Sequence, residues 1–300
     1  MKRKRTRNQA RGDSAVGTPA GAQELVQPHS NVLASRPDFL NDKKVVGTEG
    51  MQKYVTLPYL KIVQPQSAGD LKKDHSEGSV LFMPTADVVA PAIVNSKGSF
   101  EEGTPFHFVP VLFYPEWITW NDIKTKGKMN SIRERTLDKD SVIAKKAQDE
   151  DTREEQMPEN PKMKIMHQEH LVFVVQIVTP GHPLYGQLVI MSFARALHRD
   201  GRQLAKLIKM RDASPFACVF EARAEPRSKE DFAWYGYKIT NPSANSGVDG
   251  WVRDPQQFEA LEKQYENLNK LLLSGRFQAT VDDEEPTTAR RGAEADGDLD

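Results

Sequence analysis

The chain has a single cysteine, Cys218, among 300 residues. A lone thiol forms no internal disulfide and cannot assemble a cysteine-based zinc site. A disulfide-stapled scaffold and a Cys-cluster metalloprotein are therefore excluded, and the composition suits a reducing compartment. Long apolar runs are missing too. Nothing approaches the roughly 18 consecutive apolar residues of a membrane span, and no apolar segment follows the charged N-terminus, which does not read as a secretory signal. Net charge is nearly absent: 41 Lys and Arg face 42 Asp and Glu, leaving −1. That balance hides an asymmetry. Residues 1–20 carry Lys2, Arg3, Lys4, Arg5, Arg7 and Arg11 against Asp13, a net of +5. Residues 282–300 carry eight acids against Arg290 and Arg291, a net of −6. Both ends are too polar to bury a core and are expected to be disordered.

What is present, at 38% hydrophobic and 28% charged, is an ordinary globular composition. Three regions follow: a disordered basic stretch over 1–50, a folded domain over 51–281, and an acidic disordered tail over 282–300. Strand character begins at Val55–Val63 and returns at Gly78–Pro84. From Pro105 to Trp120 the chain is at its most aromatic. Residues 121–164 hold eleven basic and ten acidic side chains and almost no aromatic residue. They predict a long charged insertion loop, mobile and with at most transient helix. Strands resume at His170–Val178, where the run Leu171–Val175 makes both faces apolar, as in a strand covered on two sides. Further strands are expected at Tyr185–Phe193, Phe216–Glu225 and Trp234–Ile239. In the second of these, alternation puts Phe216, Cys218, Phe220 and Ala222 inside and Glu221, Arg223 and Glu225 outside.

Two helices stand out. Arg202–Arg211 is short and amphipathic, with Asp200-Gly201 expected to interrupt it upstream. The second runs from Pro255, capped by Asp254, to just before Gly275. Its residues Phe258, Leu261, Tyr265, Leu268 and Leu272 form one stripe, expected to pack on the sheet. The fold class predicted is mainly β with added helices (α+β): an OB-like antiparallel barrel, a short basic helix, a long C-terminal helix and disordered charged tails. A distorted sandwich satisfies the same strand count.

Catalytic templates are missing. There is no phosphate loop, dinucleotide fingerprint, nucleophile elbow or H-E-x-x-H. His167 and His170, three apart on a strand, point to opposite faces and make poor co-ligands. Asp87, Glu116 and Glu221 are scattered carboxylates without a supporting pattern. No enzyme activity, cofactor or metal is expected. Two features point to nucleic acid instead. Arg202, Lys206 and Lys209 share one helix face, and Arg195 and Arg199 continue the spacing upstream; such a row can follow a phosphate backbone. Aromatics supply the second: Phe113, Tyr114, Trp117 and Trp120 in one cluster, Trp234, Tyr235 and Tyr237 in another. Unstacked bases bind such rings without demanding a sequence. Parity separates Trp234 and Lys238 from Tyr235, Tyr237 and Ile239, so one set faces outward, and about three of the seven rings are expected at the surface.

Leu57-Pro58-x-Leu60-Lys61-Ile62-Val63-Gln64, the Met191-Ser192-Phe193 strand leading to a basic helix, and Trp234-Tyr235-Gly236-Tyr237 followed by Gly250-Trp251-Val252 together resemble tailed-phage single-stranded DNA-binding proteins. The resemblance implies an OB fold that coats single strands during replication, recombination or repair, in the cytoplasm of the host cell; Lys61 and Lys238 join the basic residues expected to contact the DNA. It also implies an acidic tail (Asp282, Asp283, Glu284, Glu285, Asp296, Asp298, Asp300) that contacts replication or recombination proteins. Two departures are the length of the 121–164 segment and a tail ending Asp298-Leu299-Asp300 without a terminal aromatic residue. No membrane partner is expected, and a homo-oligomer remains open. The rival reading is a structural or scaffold-type interaction protein, its aromatics simply core; a nuclease is the third.

Overall fold

The computed structural model describes residues 57–67, 69–121, 132–158, 160–229, 232–275 and 277, all within the unit Pro37–Asp300. In chain order the elements are β1 (Tyr59–Ile62), α1 (Gly69–Asp74), β2 (Val80–Met83), β3 (Asp87–Ala90), β4 (Ala92–Val94), β5 (Phe100–Gly103), β6 (Phe106–Asn121), β7 (Ile132–Thr136), α2 (Val142–Gln148), β8 (Glu154–Met157), β9 (Asn160–Ile177), β10 (Leu188–Phe193), α3 (His198–Met210), β11 (Phe220–Lys229), β12 (Phe232–Thr240) and α4 (Pro255–Leu273). The expected N-terminal region and acidic tail, with the seven tail acids named above, lie outside the described residues.

Ten strands form one sheet in the order β12-β11-β6-β9-β10-β1-β2-β3, with β7 beside β6 and β8 beside β9; β4 and β5 pair separately. All pairings in the large sheet are antiparallel except β1 with β10. Its spine is β6 against β9, which face each other from Phe108↔Ile177 to Asn121↔Ile165. The two-sided apolar run on β9 serves two cores, as its composition required. Leu171, Phe173 and Val175 face Phe106, Phe108, Phe193, Phe220 and Leu204 of α3. Val172 and Val174 face Val109, Val111 and Leu112, under Leu261, Leu268 and Leu272 of α4. The helix stripe therefore packs within the domain. Asp254 caps α4 by accepting from Gln256 N (2.9 Å), and Gly275 follows the helix with φ of +66°.

The sheet curls into a half-barrel, and side chains stitch its open seam. Gln64, just past β1, bonds Tyr235 of β12 as a neighbouring strand would: its Nε2 donates to the Tyr235 carbonyl (2.9 Å) and its Oε1 accepts from the Tyr235 N–H (2.8 Å). Gln66 Nε2 donates to the Ala233 carbonyl (3.0 Å), and Asp200 Oδ2 on α3 accepts from the Tyr237 N–H (2.8 Å). These bonds occupy edge groups of β12 that would otherwise lack strand partners. The coarse prediction, a mainly β chain with added helices, describes this architecture. No helix among the described residues is long and apolar enough to cross a membrane.

Three expectations need correction. The described part of the 121–164 segment, residues 132–158 and 160–164, is mostly regular structure rather than a loop. β6 and β9 run outward as a ribbon flanked by β7 and β8, and α2 packs Ile143 and Ala144 against Trp117. Some of its charges form pairs between elements, Arg135 Nη2 on β7 with Glu116 Oε2 on β6 (2.5 Å) and Lys146 Nζ on α2 with Glu155 on β8 (2.6 Å), where composition alone reads loop-like polarity. Second, Asp200-Gly201 does not interrupt α3. Both are buried in its first turn: Gly201 lies so close to Phe193 that a Cβ would sit 2.7 Å from the Phe193 Cβ, and Asp200 pairs with Arg227. Third, the strand expected over 216–225 begins only at Phe220, and although Phe216, Cys218, Phe220 and Ala222 are buried as expected, Glu221 is not outside. Phe216 lies in a single 3-10 turn, and Glu221 is buried, 3.4 Å from His107 Nε2 and accepting from Ser243 N (3.2 Å).

Candidate nucleic-acid interface

Helix α3 has a sharply divided surface. Leu204 is buried and Leu207 and Ile208 are half-buried against the core, while Arg199, Arg202, Lys206 and Lys209 are exposed. Spacings of three, four and three put those four cations in one row. The one acid of the helix, Asp200, is turned inward, bonded to the Arg227 guanidinium and the Tyr237 N–H, so it does not neutralise the row. Burial pushes the Asp200 carboxyl upward and the Arg227 contact pulls it back.

Arg195 does not join the row. It precedes α3 in a left-handed conformation (φ +48°), with its guanidinium 5.6 Å from the Trp120 ring centroid and its Nε donating to Gln168 Oε1 (3.2 Å). Lys61 lies half-buried on β1 rather than on the helix. Lys238 is exposed on β12.

The aromatic expectation is mostly overturned. Tyr114, Trp117, Trp120 and Tyr237 are at most 5% exposed. Each has a packing reason. Tyr114 lies edge-on to Phe277, Trp117 lies under α2, Trp120 stacks near His170, and Tyr237 meets Phe193 edge-on. Tyr235 is half-buried against Phe100, ring centroids 4.7 Å apart. Phe113, at 40%, is the one ring of the seven that counts as exposed, and it leans on Phe173. Parity on β12 falls as the sequence allowed: Tyr237 and Ile239 enter the core, and Lys238 faces out.

Trp234, half-buried, gains a neighbour that sequence reasoning missed. Phe232 stands two residues earlier on the same face and stacks on it, with centroids 5.6 Å apart and planes at 27°. Exposed Lys229 lies directly across the hairpin from Phe232. The period of two was the available signal; placing the start of the strand at Trp234 concealed it.

Buried titratable groups sit midway along the pairing of β6 with β9. His170 is fully enclosed, and burial together with the nearby Arg195, Arg135 and His198 holds its pKa down to about 3. Glu116, directly opposite on β6, is pushed upward by burial, an effect opposed by its pair with Arg135. His167 points elsewhere, toward Thr119 and Glu155. Asp87, Glu116 and Glu221 are engaged separately, by Thr85, Arg135 and Ser243.

In class this is an α+β domain whose half-barrel sheet is bridged at its seam by a basic helix and side-chain amides. The chain belongs to the Pam3 phage gp34-like protein family, matching it over residues 28–272. No curated protein and no solved structure matches it.

Proposed function

We propose that this phage-family protein binds single-stranded DNA without sequence preference, using an OB-like barrel as its platform. The observation that carries the reading is the exposed row Arg199, Arg202, Lys206 and Lys209, with the acid of the same helix sequestered. Phosphates lie along this row. Bases stack at the Phe232–Trp234 pair, flanked by Lys229 and Lys238; stacking contributes roughly 1–3 kcal/mol per base whatever its identity. Under this reading the acidic tail engages replication or recombination proteins.

Titration with oligo-dT and with duplex DNA, following tryptophan emission and anisotropy together, tests it. Binding that favours the single strand, with quenched emission, is expected. Equal weak binding to both, or none, rejects it. The burial of Tyr114, Trp117, Trp120 and Tyr237 favours the rival reading, a structural interaction protein, which predicts unchanged emission on adding oligo-dT.

A further inference from the structure

The outer ribbon carries chemistry that nucleic-acid binding does not use. A cleft of about 450 Å³ opens among α2, β7, β8 and the far ends of β6 and β9, and its wall includes Thr119, Arg133, Lys146, Glu155 and His167. Four elements meet there through one chain of bonds. Thr119 Oγ1 on β6 lies 2.8 Å from His167 Nδ1 on β9, and His167 Nε2 lies 3.0 Å from Glu155 Oε1 on β8. Lys146 Nζ on α2 donates to both Glu155 oxygens at 2.6 Å.

These contacts set the direction of each bond. The Lys146 hydrogen bond, chief among the causes, holds the Glu155 carboxyl below its ordinary value, so Glu155 is ionised and only accepts. In the neutral form that a general base must take, the imidazole proton therefore sits on Nε2. That leaves Nδ1 as an acceptor, and the Thr119 hydroxyl must donate to it. His167 is buried and held from both sides, so the ring has one orientation. A hydroxyl donating to a base that a carboxylate orients is the arrangement of an activated nucleophile.

We infer that Thr119, His167 and Glu155 form a nucleophile–base–carboxylate relay that hydrolyses small activated carboxylic esters in this cleft. As Thr119 Oγ1 bonds to the ester carbonyl carbon, its proton passes to His167 Nδ1. Collapse of the adduct breaks the bond to the alcohol oxygen, and His167 returns the proton to that leaving group. Water then attacks the acyl-threonine, losing its proton to Nδ1; the carboxylic acid departs and the proton goes back to Thr119. Glu155 is a positioning residue that stabilises the transient imidazolium. Arg133, on the same wall, adds positive charge to the cleft in which the oxyanion forms.

The test uses the full chain with p-nitrophenyl acetate and, separately, a fluorophosphonate probe read by mass spectrometry. A positioned base contributes about 10²–10⁴-fold, so Thr119→Val should lower hydrolysis at least about 100-fold. Thr119→Ser, which removes the methyl crowding the oxygen, should keep or raise the rate, and the probe should label the peptide containing Thr119. Equal rates for wild type and a folded Thr119→Val protein overturn the assignment. So does an inactive but folded Thr119→Ser protein, or an unlabelled wild-type Thr119 peptide, a result that decides the matter even if Thr119→Val does not fold. DNA binding is untouched by any of these outcomes, since α3 takes no part.

Discussion

Neutralising the middle of the α3 row, Arg202→Gln with Lys206→Gln, isolates the electrostatic part of DNA binding. Arg199 and Lys209, ten positions apart, bound the row, which at 1.5 Å per residue spans about 15 Å, enough to meet several phosphates of one strand. Both targeted side chains are exposed, and glutamine matches arginine and lysine in helix propensity, so the fold should be unaffected. If all four cations neutralise phosphates, log K against log salt for a single strand has a slope of about −0.7 per contact, or roughly −2.8. Between 50 and 200 mM salt the wild type then loses about 50-fold in affinity. With two contacts left the slope falls to about −1.4 and the loss to about 7-fold. Anisotropy of a labelled oligo-dT across the salt series measures both. Identical slopes for variant and wild type would refute the placement of phosphates on α3, whatever the absolute affinity.

Acid stability reports the burial of His170. Its folded pKa of about 3 lies below the unfolded value near 6.5, so the unfolded chain binds the extra proton between these limits and stability rises with pH across that window. Relative to a His170→Leu variant, the wild type should lose up to about 5 kcal/mol on acidification from pH 6.5 to 3; parallel denaturation curves at every pH would show that the ring protonates while folded. Gly201→Ala should destabilise by about 1–3 kcal/mol despite the gain in helix propensity, because the new Cβ would meet Phe193 Cβ at 2.7 Å and Cγ at 2.9 Å. A raised melting temperature would mean that this contact relaxes freely. Asp200→Ala leaves Arg227 and the Tyr237 N–H without their carboxylate and should cost about 3–5 kcal/mol in urea unfolding, a loss that Arg227→Ala should share rather than add to.

Periodicity made some elements legible before any coordinates. The stripe on α4 with Asp254 and Gly275 at its ends, the two-faced run Leu171–Val175, and the opposition of Lys238 to Tyr237 and Ile239 all follow from spacings within one element. Such patterns are local, because a helix or strand imposes its period on whichever residues face the core. The row of cations on α3 was readable for the same reason. Composition misled where side chains act across the sheet. Residues 132–158 look like solvated loop until Glu116 meets Arg135 and Lys146 meets Glu155. Asp200-Gly201 looks like a break until Phe193 and Arg227 arrive from elsewhere in the chain.

Aromatic residues show the boundary most clearly. Their positions on strands followed from the chain, but their depth did not. Trp117 is enclosed by α2 and Trp120 by His170 and Arg195, and none of these partners is near in sequence. The triple alignment of Thr119, His167 and Glu155 is of the same kind, joining three strands whose register alone brings the side chains within bonding distance. Short-range order is written into residue spacing, whereas the company a side chain keeps depends on which distant segments the sheet lays beside it.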